Sequence, residues 1–295
     1  MKRLIFLLCS LMLVSAVYAQ VNKKYRAKRD YWPSYQHTAT LGLGGTYFYG
    51  DVAGGPFQRP PIPEGLMPET IRYAVTGTYK YKFHPRFNLR LSLSYARISG
   101  ADSLTSGKQS RNLHFRSEII EFSPMIEFYV VRERFPTKMR WGRWMANRRP
   151  TRDFSWYFAA GISGLYFNPK ARYQDEWVEL QPLGTEGQGL DGTERYNRVA
   201  FAIPTCMGFQ FMYNQKWSFG FETGLRWVFS DYLDDVSTDY YDQEVLRAVN
   251  GAAAADLGDR SFSGSEAGSS RGNPNQFDSY LFAQITISRK IRPPR

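Results

Sequence analysis

Cysteine and histidine are nearly missing from this 295-residue sequence, which has two of the first and three of the second. Cys9 lies in an N-terminal leader, so Cys206 alone remains in the body of the chain and no internal disulfide can form. His37, His84 and His114 are far apart, and no H-E-x-x-H zinc spacing occurs. "GISG" at 161–164 is not the G-x-S-x-G turn of a serine nucleophile. "LGLGG" at 41–45 lacks dinucleotide-binding spacing and sits in a strand pattern, where glycines let a sheet bend. After residue 20 there is also no apolar run of the ~20 residues that a spanning helix needs. These absences argue against a disulfide scaffold, a zinc hydrolase and a helical membrane protein. Nothing in the chain calls for a cofactor.

The chain begins Met1-Lys2-Arg3, runs apolar from Leu4 to Val17 and reaches Val17-Tyr18-Ala19. A basic start, a short apolar run and a small-x-small end read as a secretory signal peptide over 1–19. Aromatics are 16% of residues and the formal net charge is +11.

Apolar and polar residues alternate in eight long segments. In 86–96, Phe87, Leu89, Leu91, Leu93 and Tyr95 alternate with Arg86, Asn88, Arg90, Ser92, Ser94 and Ala96. Successive strand side chains point to opposite faces, so each segment predicts a two-faced strand. The others lie at 39–49, 71–82, 116–130, 154–167, 199–211, 217–230 and 277–288. Most are longer than the ~5–6 residues usual in soluble sheets and match the ~9–11 that cross a bilayer. The expected fold is an all-β, eight-stranded antiparallel barrel of the outer membrane over 39–291, with apolar rows toward lipid. A closed ring also removes the sheet edges that lipid cannot satisfy. At eight strands the interior is just wide enough for side chains to fill. Arg90, Glu121, Glu127, Glu222 and Arg226 are expected to meet there as an ion-pair network, so a packed lumen predicts no bilayer conductance.

The connections after strands one, three, five and seven (51–70, 100–112, 168–197 and 231–276) are long, and those after strands two and six are tight. Long loops mark the outside of such barrels and short turns the periplasm. Both termini are then periplasmic: a basic segment at 20–38 (Lys23, Lys24, Arg26, Lys28, Arg29) and a tail at 292–295. The stretch 251–275, rich in Ala, Gly and Ser, reads as flexible. One periplasmic connection breaks the rule. "RERFPTKMRWGRWMANRRPTR" (132–152) is long and carries Arg132, Arg134, Lys138, Arg140, Arg143, Arg148, Arg149 and Arg152 against Glu133 alone. Trp141 and Trp144 sit among them. Two readings stand: a basic rim on lipid phosphates, or a docking face for an acidic periplasmic partner, since Arg and Trp are enriched at hot spots. Nucleic acid needs similar chemistry, but the export signal argues against it.

"SDYLDDVSTDYYDQE" (230–244) packs six carboxylates into a basic chain. It lacks the EF-hand spacing. Its plain reading is a hydrated outer loop. The alternative gives Asp231, Asp234 and Asp235 a divalent ion, against a third use in which they cap backbone amides and turn the exit of strand seven.

Several stretches together resemble one family: "YFYGD" (47–51), "RLSLSYARISGAD" (90–102), "RSEIIEFSPMIEFY" (116–129), "FAAGISGLYFNPKA" (158–171), "ELQPLGTEGQG" (179–189) and "WSFGFETGLRWVFSDYLDDVST" (217–238). They look like the PorG-like outer-membrane barrels associated with type IX secretion, and the last two stretches are the most specific. The resemblance implies a non-catalytic anchor that ties a periplasmic ring, built with a ring-forming lipoprotein, to the outer membrane and its lipids. The 132–152 insert is not part of the shared pattern, so partner contacts there rest on charge and topology. Two other classes remain open: a barrel enzyme acting on surface lipid or protein, with His114 beside Asp102 or Ser110, and a small-solute channel.

Overall fold

Where the alternation is strongest, the chain forms its longest strands. The computed structural model describes residues 35–52, 68–105, 107–133, 154–214 and 216–291. Its strands are β1 (His37–Tyr49), β2 (Arg72–His84), β3 (Phe87–Ala101), β4 (His114–Val131), β5 (Phe154–Gly161), β6 (Ser163–Tyr173), β7 (Glu176–Glu179), β8 (Val199–Met212), β9 (Trp217–Val228) and β10 (Ser279–Ile291). All pairings are antiparallel.

β5 and β6 form one stave with a gap at Ile162. Both pair with β4 on one side and β8 on the other, and the register carries across the gap, with one irregularity between Tyr129 and Val131 of β4. The gap has a cause: Ile162 lies across from Pro124 of β4, and Pro204 of β8 lies beside it. Neither proline can donate to the ladder. The Ile162 amide still donates to the Pro124 carbonyl at 3.2 Å. Counted this way there are eight staves. β3 joins β4, and β1 joins β10 from His37↔Ile291 to Tyr49↔Ser279, so the ring closes.

The two faces are inverted relative to a soluble protein. Leu93 (58% exposed), Phe201 (70%) and Ile285 (68%) project outward, while Arg90, Glu127, Glu222 and Arg226 are buried within. This is the lipid-out, polar-in arrangement of a membrane barrel. Among the described residues no helix is long and apolar enough to cross a membrane.

Two expectations need correction. The fifth stave does not end at 167: it continues to Tyr173 and folds back as β7, with Lys170 across from Glu179. The 251–275 stretch is folded in part. It holds α2 (Ala252–Gly258), which follows α1 (Gln243–Val249) and buries Ala254, Ala255 and Leu257. Asp242 caps α1 by accepting the amides of Glu244 and Val245. The signal peptide, the basic segment up to residue 34, the insert from 134 to 153 and the tail lie outside the described residues.

Candidate functional site

The lumen is filled by two charged clusters. In the first, the Arg90 guanidinium donates to both Glu222 carboxylate oxygens, at 2.5 and 2.8 Å. Tyr157 Oη donates to the same carboxylate at 2.7 Å and Gln284 Nε2 at 3.2 Å. Glu127 accepts from Lys80 Nζ at 2.6 Å and from Asn88 Nδ2 at 2.8 Å, with Arg90 3.9 Å away. In the second, Glu121 accepts from Arg226 Nε at 3.1 and 3.2 Å, from Tyr280 Oη at 2.8 Å and from Ser123 Oγ at 2.5 Å. All five expected residues are present, but they form two clusters. Lys80, Tyr157 and Tyr280 complete them. The parity of each position would have found these three, since they occupy inward rows.

A glycine makes the first cluster possible. Tyr157, Gly208 and Glu222 share one register row across β5, β8 and β9. A Cβ on Gly208 would lie 2.4 Å from Tyr157 Oη, so only glycine leaves room for the tyrosine to reach across. Cys206 lies buried one inward position along β8, across from Ala159 and Gly224, with Arg226 Nη1 3.5 Å from its Sγ.

The acidic stretch is where the structure departs most from the sequence reading. Asp231, Asp234 and Asp235 are buried, so the hydrated-loop reading fails for the first half of the stretch, while Asp239, Asp242 and Glu244 are exposed. The segment after β9 turns down into the barrel mouth and places Leu233 and Val236 in the core with Phe48, Val52, Phe115 and Phe167. Burying those side chains carries the adjacent carboxylates inward, where they take up backbone amides. Asp234 accepts from Val52 N at 2.9 Å and Val236 N at 3.1 Å, and Asp278 accepts from Leu233 N at 2.9 Å. Asp235 is left-handed at φ 65°. Its carboxylate accepts from Thr185 Oγ1 and Tyr196 Oη, both at 2.5 Å. For Asp234 the amide-capping turn is therefore the use that is seen, whereas Asp235 is held by two side-chain hydroxyls. Among the described residues no three His, Cys, Asp or Glu side chains are grouped to hold a metal ion.

A second loop locks this turn. Glu186 accepts from Ser237 N (2.9 Å), Thr238 N (3.1 Å), Thr238 Oγ1 (2.7 Å) and Arg271 Nη1 (2.8 Å). Arg271 also donates to the Asp235 carbonyl at 2.7 Å. Arg111 ties in the next loop, binding Asp102 at 2.7 and 2.8 Å and the carbonyls of Arg271 and Asp51. The two most specific family-like stretches, 179–189 and 217–238, thus bind each other and cap the mouth.

Burial is the chief cause that lifts the Asp231 and Asp234 carboxyls to about 8 and Asp235 to about 6; repulsion from Asp234 and Asp51 adds to the first two. All three stand above the ordinary carboxyl value, so the folded cap holds protons that an unfolded loop releases. Their contribution to stability is complete below about pH 4 and is lost as pH rises through about 6 and then about 8. Amides of 231–238, corrected for intrinsic exchange, are expected to lose roughly tenfold in hydrogen-exchange protection per unit of pKa shift released, between about pH 6 and about pH 9. Asp231→Asn should flatten the upper part of that slope, because the amide takes away one of the two groups that titrate at about 8. Equal protection at both pH values would refute this.

The two residues of the candidate base each have other partners. His114 Nε2 accepts from Arg172 N at 3.0 Å and Asp102 is engaged by Arg111 and Leu113 N. At the opposite end, Glu133 is bonded to Lys290 Nζ and lies 3.9 Å from Lys82 Nζ. Of the candidate docking residues only Arg132 is among the described residues.

A closed eight-stave ring, an apolar exterior and a filled, charged interior define an antiparallel β-barrel of the outer membrane. Within that class, the chain belongs to the family described as Domain of unknown function (DUF6089), whose model matches residues 34–255. Among curated proteins no sequence matches. Similar solved structures include Neisserial surface protein A (5% identity, 87% of this chain and 97% of that one, TM-score 0.40). Others are OprG from Pseudomonas aeruginosa (8%, 88% and 98%, 0.36) and Ail of Yersinia pestis with a heparin analogue (8%, 86% and 96%, 0.36). Likeness at this level carries no functional meaning for this chain.

Proposed function

We propose that this barrel is a non-catalytic scaffold that anchors the periplasmic ring of the type IX secretion machinery to the outer membrane. The observation that carries this reading is the sealed interior: charged clusters fill the lumen and interlocked loops cap one mouth. A barrel filled in this way works through its surfaces. The PorG-like stretches support the particular machine. The cap-bearing end takes the outward position usual for long loops, leaving both termini and the 132–152 insert in the periplasm. At the root of that insert Lys290 and Lys82 already occupy Glu133, its single acid. The cations Arg132, Arg134, Lys138, Arg140, Arg143, Arg148, Arg149 and Arg152, with Trp141 and Trp144, are left for an acidic face of the ring-forming lipoprotein complex.

Reversing charge at Arg140, Arg143, Arg148 and Arg149 tests the docking. At about 0.5–1 kcal/mol per exposed contact, the four changes should weaken co-purification with the ring in mild detergent by roughly tenfold or more. Undiminished co-purification would defeat the docking role.

A further inference from the structure

On the outer wall, at the end that carries the long loops, the apolar surface gives way to cations within two rows. On β3, β4 and β6 the last apolar row is Tyr95, Ile120 and Tyr166, in register with Val75 of β2, where Tyr73 and Ile71 carry apolar surface further. Two residues further along each strand, Arg97 lies across from Glu118 and Glu118 across from Asn168. In the next row Arg116 lies across from Lys170, and Arg172 then pairs with Trp177. At ~3.4 Å per residue, rows are ~7 Å apart. On staves tilted by about 40° that spacing is about 5 Å along the membrane normal, so Arg97 and Arg116 stand ~5–11 Å beyond the apolar edge of β3 and β4, across and just above a polar layer about 5–8 Å thick.

These residues line a cleft of about 480 Å³ between β2, β3, β4 and β7. Arg72, Arg97, Arg116 and Arg172 face it, against Glu69 as the one acid among the described residues of its wall. Arg97 is held by Glu118 at 2.8 Å and Arg172 by Asp175 at 2.8 Å. Arg116 differs. Its guanidinium stacks on Trp177 at 3.9 Å, and no described carboxylate pairs with it. A guanidinium steadied 3.9 Å over an aromatic ring keeps its planar fork of N–H donors available for phosphate oxygens.

We infer that this cleft binds the phosphate headgroup of a lipid in the outer leaflet. Arg116 is the principal phosphate ligand, with Arg97 and Arg172 flanking it. The leaflet assignment rests on the orientation proposed above, whereas the phosphate chemistry does not.

The test uses the full-length barrel in phosphatidylcholine nanodiscs doped with bisphosphorylated lipid A or its dephosphorylated form. Both faces are open there, so orientation has no bearing. Native mass spectrometry after gentle release counts the lipid retained. Wild type should keep the phosphorylated form at least roughly tenfold better, and R97Q/R116Q/R172Q should reduce the preference to within about twofold. Arg116→Lys, which keeps charge without the planar stack, should fall between. Arg289→Gln, which alters an arginine stacked on Trp217 at the other end, should match wild type. Heat-modifiable migration confirms folding, and R116Q alone replaces the triple variant if that fails to fold. Equal retention of both lipids, or a triple variant that keeps its preference, overturns the site. Displacement by inorganic phosphate at the lipid's own concentration overturns the lipid source. Separately, impermeant thiol labelling of Ala267→Cys on whole cells tests orientation; an unlabelled but folded barrel overturns the leaflet assignment while the nanodisc result stands.

Discussion

Glu222→Leu is expected to destabilise the barrel by about 3–5 kcal/mol, the usual cost of stranding a buried charge. Arg90 is 1% exposed and gives two bonds to this carboxylate, so its charge has no water to return to. Glu127, 3.9 Å from Arg90, is already bonded to Lys80 and Asn88 and cannot fully replace the lost partner. Tyr157 and Gln284 lose an acceptor in the same step. Arg90→Met in the Glu222→Leu background should recover most of the loss, since an apolar pair of similar volume needs no compensation. Denaturant unfolding in lipid vesicles measures both. A single-variant loss under about 1 kcal/mol would mean that water enters the lumen and screens Arg90.

The other large effect is expected at Glu186→Ala, on the cap. This carboxylate accepts four hydrogen bonds within 3.1 Å and neutralises buried Arg271. Its removal leaves two backbone amides unmatched and Arg271 holding the Asp235 carbonyl. The cost is about 3–5 kcal/mol, borne by the loops because every partner lies outside the staves. Protease added from the cap side should therefore cut within 180–197 and 231–276 while heat-modifiable migration of the barrel persists. Glu186→Gln, which keeps one acceptor oxygen, should be milder. A digestion pattern unchanged from wild type would show that the loops are held by other contacts.

The contrast between these two regions bears on how much the chain disclosed before folding. Arg90, Glu121, Glu127, Glu222 and Arg226 were readable as lumen residues because parity alone assigns a side to each strand position. Their pairing was not readable: Glu121 and Arg226 are 105 positions apart and meet only once the ring has closed. Pro124 and Pro204 were visible, but their joint effect on Ile162 depends on which strands flank β5. The acidic turn misled because aspartate is ordinarily wet. Its burial follows from Leu233 and Val236 entering the core, and its compensation comes from Thr185, Glu186, Arg271 and Asp278 on other segments. The arginine cleft is not legible in the sequence, because Arg72, Arg97, Arg116 and Arg172 come from four segments and meet only around one cleft of the folded wall.

By itself, then, the sequence determined the membrane barrel, its number of staves and which side chains face lipid or lumen. Each follows from a local period of two, and lipid rewards that period stave by stave. The tertiary structure alone decided the partners within the lumen, the knitting of "SDYLDDVST" and "TEGQG" into a cap, and the arginine girdle above the apolar band. Those depend on register and closure, which bring distant residues within a few ångströms where burial makes a charge costly unless its partner arrives with it.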